Sequence, residues 1–157
     1  MSVILQGYQL REIALGVQVQ KSWTLPASAT TVNFFTVANG AVLVTAIFGL
    51  VTTLIGSTAT TVAIGTVPTI GTPETAGIAT ATAVTSLEAG TWLGVQSSAG
   101  LAGALVSGGH AGNTVWASAP LVVPAGSISF TTSANAGGGV IKWYLHYVPL
   151  DTGAAVS

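Results

Sequence analysis

Val140–Pro149, VIKWYLHYVP, is the stretch whose reading decides the fold. Side chains alternate across a strand, so Ile141, Trp143, Leu145 and Tyr147 share one face, while Val140, Lys142, Tyr144, His146 and Val148 share the other. The first set is uniformly apolar and bulky and reads as core. The second mixes charge, hydroxyl and imidazole and reads as partly exposed or interfacial. A segment with this alternation needs a second apolar layer to cover its first face, which points to stacked sheets rather than to helices.

Working backwards from it, the same grammar continues. Ala134–Gly139 is a loop, Ser127–Ser133 (SISFTTS) a short strand, and Val123-Pro124-Ala125-Gly126 a tight turn, preceded by an extended Thr114–Val123. Ser97–Asn113 (SSAGLAGALVSGGHAGN) is glycine-rich and reads as a long loop with one short helical turn. Thr91–Val95, Ile78–Val84 and Thr58–Thr66 are thin Ala/Thr/Val strands, and VPTIGTPE (67–74) is a turn. Val32–Ala38 (VNFFTVA) runs into Asn39-Gly40, a strong hairpin signal because both residues tolerate positive φ; the returning strand begins at Val42 and continues, bent, through Leu54.

Residues 1–21 stand apart. They hold three of the chain's seven full charges and are read as an N-terminal arm or first strand, with a short helix over Leu10–Leu15 and a strand at Val17–Val19; residues 22–157 form the sandwich domain. About eight short strands with almost no helical periodicity predict an all-β fold, a single antiparallel β-sandwich or jelly roll.

Composition narrows function by what is missing. Only Arg11, Glu12, Lys21, Glu74, Glu88, Lys142 and Asp151 carry full charge, 4% of the 157 residues, where a soluble domain spends about a quarter. A surface of Thr, Ser, Gln, Asn and backbone is cheap to desolvate, since a hydroxyl needs one hydrogen bond where a charge needs a partner. A net charge of −1 removes the self-repulsion that keeps molecules apart. Both favour a protein covered by other subunits; the competing reading is a weakly charged secreted monomer. Three cations cannot neutralise a run of phosphates, so nucleic acid is not an expected partner.

A membrane is not expected either. Ala41–Gly56 is shorter and more polar than the roughly 20 apolar residues of a spanning helix, and no Lys or Arg flanks it. The aromatics are too scattered for the paired girdles of a membrane barrel. The start, SVILQGYQL, has no basic region and does not read as a signal peptide.

No cofactor, metal or catalytic site is expected. With no cysteine there is no thiolate ligand or nucleophile, and acid/base work would fall to His110, His146 and four carboxylates. Glu74 and Glu88 lie in separate segments. His110, in GGHAGN, has no Asp, Glu or second His nearby in sequence, and His146 reads as a satisfied surface or interface histidine. The glycine clusters do not open a helix and lack the Lys-Ser/Thr of a phosphate loop. Thr58-Ala59-Thr60 and Thr80-Ala81-Thr82 fall short of the regular ladder an ice-binding surface needs.

The run GGGVIKWYLHYVPLDTGA (137–154), the preceding LVVPAGSISFTTSANA (121–136) and FTVANGAVLVTAIFGLVTT (35–53) resemble, over about half of the chain, the small β-rich virion structural proteins of tailed bacteriophages. The Gly/Ala-rich Leu101–Asn113 has no counterpart in that pattern. The resemblance implies a capsid decoration (cement) protein on the capsid surface, a homo-oligomer, expected as a trimer, whose second partner is the major capsid protein. Expected contact residues are Leu5, Tyr8 and Leu10 in the arm, Lys142, Tyr144 and His146 on the last strand, and Trp116 with the loop around His110. A tail or host-recognition module that binds a cell-surface glycan through Trp92 or Trp116 is the alternative. The chain is small for a major shell protein.

Overall fold

A computed structural model of the chain describes residues 6–96, 103–107, 120–134 and 136–157. They comprise a helix, α1 (Gly7–Leu15), and strands β1 (Val17–Thr24), β2 (Thr30–Ala38), β3 (Val42–Thr53), β4 (Thr61–Pro68), β5 (Glu74–Ala83), β6 (Trp92–Gln96), β7 (Gly103–Ser107), β8 (Leu121–Val123), β9 (Gly126–Thr132), β10 (Val140–Pro149) and β11 (Ala155–Val156). The expected all-β class holds, as two antiparallel layers packed face to face. In the first layer β10 lies between β1 and β3, and β3 carries β8 and β6 along its other edge. The second runs β5-β4-β9-β2-β11. Strand β7 pairs antiparallel with β6 and parallel with β5, so the hydrogen-bonded path is continuous around one side of the sandwich.

Alternation in β10 has the consequence the sequence implies: Ile141, Trp143, Leu145 and Tyr147 are buried. They meet the second layer through aromatics. Trp143 sits edge-on to Phe130 of β9 with centroids 4.7 Å apart, and Trp23 of β1 reaches the same ring at 5.6 Å. Phe35, Ile64, Ile128, Val42 and Val51 fill the space around them. Such close edge-to-face pairs add to the apolar burial that holds the layers together.

The Asn39-Gly40 turn corrects one expectation. It forms where foreseen, with φ of 59° and 136°, but β2 and β3 do not pair. Strand β2 bonds to β9 and β11, and β3 to β10, β6 and β8. The turn carries the chain from one layer to the other. What fixes the crossing is the segment after β10: the Asp151 carboxylate accepts the Ala41 N–H at 2.7 Å, and the Leu150 N–H donates to the Ala41 carbonyl at 3.1 Å. Asp151→Ala is therefore expected to lower the unfolding free energy by about 1 kcal/mol, the modest figure suiting an exposed charge-assisted bond; the shift in urea midpoint measures it.

Other boundaries move for local reasons. The long glycine-rich segment contains a strand, β7, where one helical turn was expected. The turn after β4 is shorter than the sequence implies, because β5 starts at Glu74. Strand β1 runs on to Thr24 as an integral edge strand. No helix among the described residues is long and apolar enough to cross a membrane.

Candidate interaction surface

The outer face of the first layer collects most of the residues singled out from the sequence. Register places Trp92, Leu50, Lys142 and Ser22 in one row across β6, β3, β10 and β1, and Gly94, Phe48, Tyr144 and Gln20 in the next. Trp92 leans over β3 and stacks on Tyr144, with centroids 5.8 Å apart and planes 29° apart. Lys142 Nζ lies 5.2 Å from the Tyr144 centroid. The result is a half-buried aromatic pair edged by one cation, a geometry that favours both rings and charge when water is partly excluded.

Helix α1 rests on the neighbouring part of this face, against β1 and β10. It begins after Gln6, whose N–H donates to the Gln9 side chain, and ends at Gly16, where φ is 85°. Only glycine fits that joint, because a Cβ there would stand 2.2 Å from the Tyr147 carbonyl oxygen. The helix buries none of its side chains; Tyr8, Leu10 and Ile13 all face solvent. The structure thus brings Tyr8 and Leu10 to the same side of the molecule as Lys142, Tyr144 and His146. Leu5, His110 and Trp116 lie outside the described residues.

His146 is not a surface histidine. It is 4% exposed, its Nδ1 has no hydrogen-bond partner, and its neighbours in register are Gln18 and Ala46. Alternation along β10 could not reveal this, because the ring's neighbours come from a distant part of the chain, the Gly16 backbone at the end of α1 among them. Burial and then the Arg11 guanidinium hold the imidazole pKa below its ordinary 6.5, against a backbone hydrogen bond at Gly16 that favours the charged ring. Arg11 was not singled out from the sequence; its place shortly before the Gly16 joint was the available signal.

Lys21, on the edge strand β1, points between the layers. Its Nζ donates to the Phe34 carbonyl at 2.8 Å and lies 5.7 Å from the Phe35 centroid. An inward cation on an edge strand discourages a further strand from adding there, while its stem covers apolar surface. Other apolar side chains are exposed elsewhere, the most extreme among the described residues being Ile70 at 90% in the turn between β4 and β5. Among the described residues no three His, Asp or Glu side chains gather as a metal site would require. Compared with known proteins, the chain matches no family model, no curated protein and no solved structure.

Proposed function

We propose that this chain is a virion structural protein, a capsid decoration protein that self-associates as a trimer and stabilises the capsid by packing across subunit seams. The observation that carries the reading is a chain with only seven full charges in 157 residues that still leaves Ile13 and Ile70 more than two-thirds exposed. A shell of this kind is inexpensive to dehydrate and lacks repulsion between copies. Side chains of α1 and the adjoining β10 face, uncharged apart from Arg11, Glu12 and Lys142, supply the contacts, and repetition over a lattice multiplies weak seams by avidity.

The test is a mass measurement of the purified protein, alone and mixed with undecorated capsids. A particle three times the 15.5 kDa of one chain, saturating the capsids, is the expected result. A stable monomer that leaves capsids untouched overturns it.

A second reading, a tail or host-recognition module for a cell-surface glycan, is favoured by the stacked Trp92–Tyr144 pair with Lys142 at its edge. Aromatic faces with a nearby donor suit the apolar side of a sugar ring. Glycan binding lost on Trp92→Ala, together with no capsid binding, would select this reading over the first.

A further inference from the structure

We propose that α1 is an acid-released latch: taking up a proton at His146 detaches Gly7–Leu15 from the outer face of β10 while the sandwich stays folded. The inference is independent of which partner the protein serves. Four observations carry it. His146 is buried at the C-terminal end of the helix, bonded to the Gly16 backbone and with an unpartnered Nδ1. The helix presents a cation, Arg11, and buries no side chain of its own. Among the described residues its hydrogen bond to the strands lies at one end, where the Thr45 hydroxyl donates to the Leu15 carbonyl. Gly16 follows at once as a joint that the β1 ladder, starting at Val17, does not need to break.

Charging a ring in this position places a second cation beside Arg11 in a site with little water. The groups facing it from the packed strands, Gln18 on β1 and Ala46 on β3, do not ionise and cannot neutralise it. The backbone at the helix end favours the imidazolium, but burial and Arg11 outweigh it. With the docked ring the weaker base, the sign follows. Above pH 6.5, the ordinary value, docking does not depend on pH. Below it the undocked form gains a proton first, and docking weakens by up to about tenfold per pH unit, until the docked ring itself protonates. The loss is then complete.

The chain has no cysteine, so Ala14→Cys, at an exposed position, accepts a single nitroxide. The ratio of mobile to immobile label is expected to rise by up to about tenfold per pH unit below 6.5, while the near-ultraviolet ellipticity of the core tryptophans stays constant. His146→Gln should abolish the rise. Arg11→Gln, at an exposed position that leaves folding undisturbed, should shrink it. A ratio that stays flat down to pH 4.5, the same rise in the glutamine variant at 146, an unchanged rise with Arg11→Gln, or loss of the tryptophan signal in step with the label would each overturn the latch.

Discussion

Trp143→Ala is expected to lower the unfolding free energy by about 3–5 kcal/mol. Trp143 has no exposed surface and occupies the middle of β10, the strand through which β1 and β3 are joined. Its ring closes two contacts at once, edge-on to Phe130 of the opposite layer and close against Gly49 of its own, where an added Cβ would lie 2.9 Å from Cζ3. Truncation removes both and leaves a cavity between two layers that cannot collapse without moving β3. Against a total of about 5–15 kcal/mol for a typical domain, that loss is severe. Trp143→Phe separates size from polarity. The indole Nε1 is buried without a partner, and removing such a donor relieves about 1–3 kcal/mol, offsetting part of the lost volume. Urea denaturation followed by far-ultraviolet circular dichroism reads both variants. A Trp143→Ala midpoint close to that of the parent would show that the layers are held elsewhere.

Gly65→Ala is the second large effect, expected at about 3 kcal/mol, the upper end for overpacking. The cause is space rather than backbone conformation. Around this residue the β4–β5 register slips, Ile64 facing Ala79 and Thr66 facing Glu74. The irregular stretch lets β5 close in until a Cβ on Gly65 would stand 1.9 Å from the Glu74 carbonyl oxygen and 2.6 Å from the Thr75 carbonyl carbon. Both obstacles are main chain, so no rotamer change relieves them. Amide exchange should accelerate in β5 around residues 74–79 before it does in β10. Gly7→Ala serves as the control: nothing lies within 4 Å of the new methyl group, and the helix should gain up to about 1 kcal/mol. Equal losses at both glycines would refute the steric explanation.

Strand β10 was legible from end to end because one face is apolar at every alternate position. The Asn39-Gly40 turn was legible as a turn, since positive φ is a local demand. Its destination was not, because nothing local to residues 39 and 40 states whether the chain returns beside β2 or crosses to the other layer; Asp151 and Leu150, more than a hundred residues away, decide that. Gly103–Ser107 became a strand by pairing with β5 and β6, although GALVS has no alternation to announce it. On the candidate surface, Lys142 and Tyr144 lie on the face expected of them, and Trp92 joins them only through register across β3. The burial of His146 was invisible for the same reason as the crossing: it depends on an element distant in the chain.

That dependence on distant partners has a consequence during synthesis. Strand β1 completes its ladder with β10, and β3 needs β10 too, so the first layer cannot close until residues 140–149 have left the ribosome. The second is in the same position, because β2 waits for β9 and β11. A nascent chain of this topology leaves one edge of VLVTAIFGLV, the edge that β10 covers, unpaired for most of its elongation, with few charges nearby to keep it dissolved. Closure of such long loops is slow, and exposed strands invite wrong partners in the meantime. Production in cells should therefore respond strongly to chaperone supply and to slower translation at low temperature.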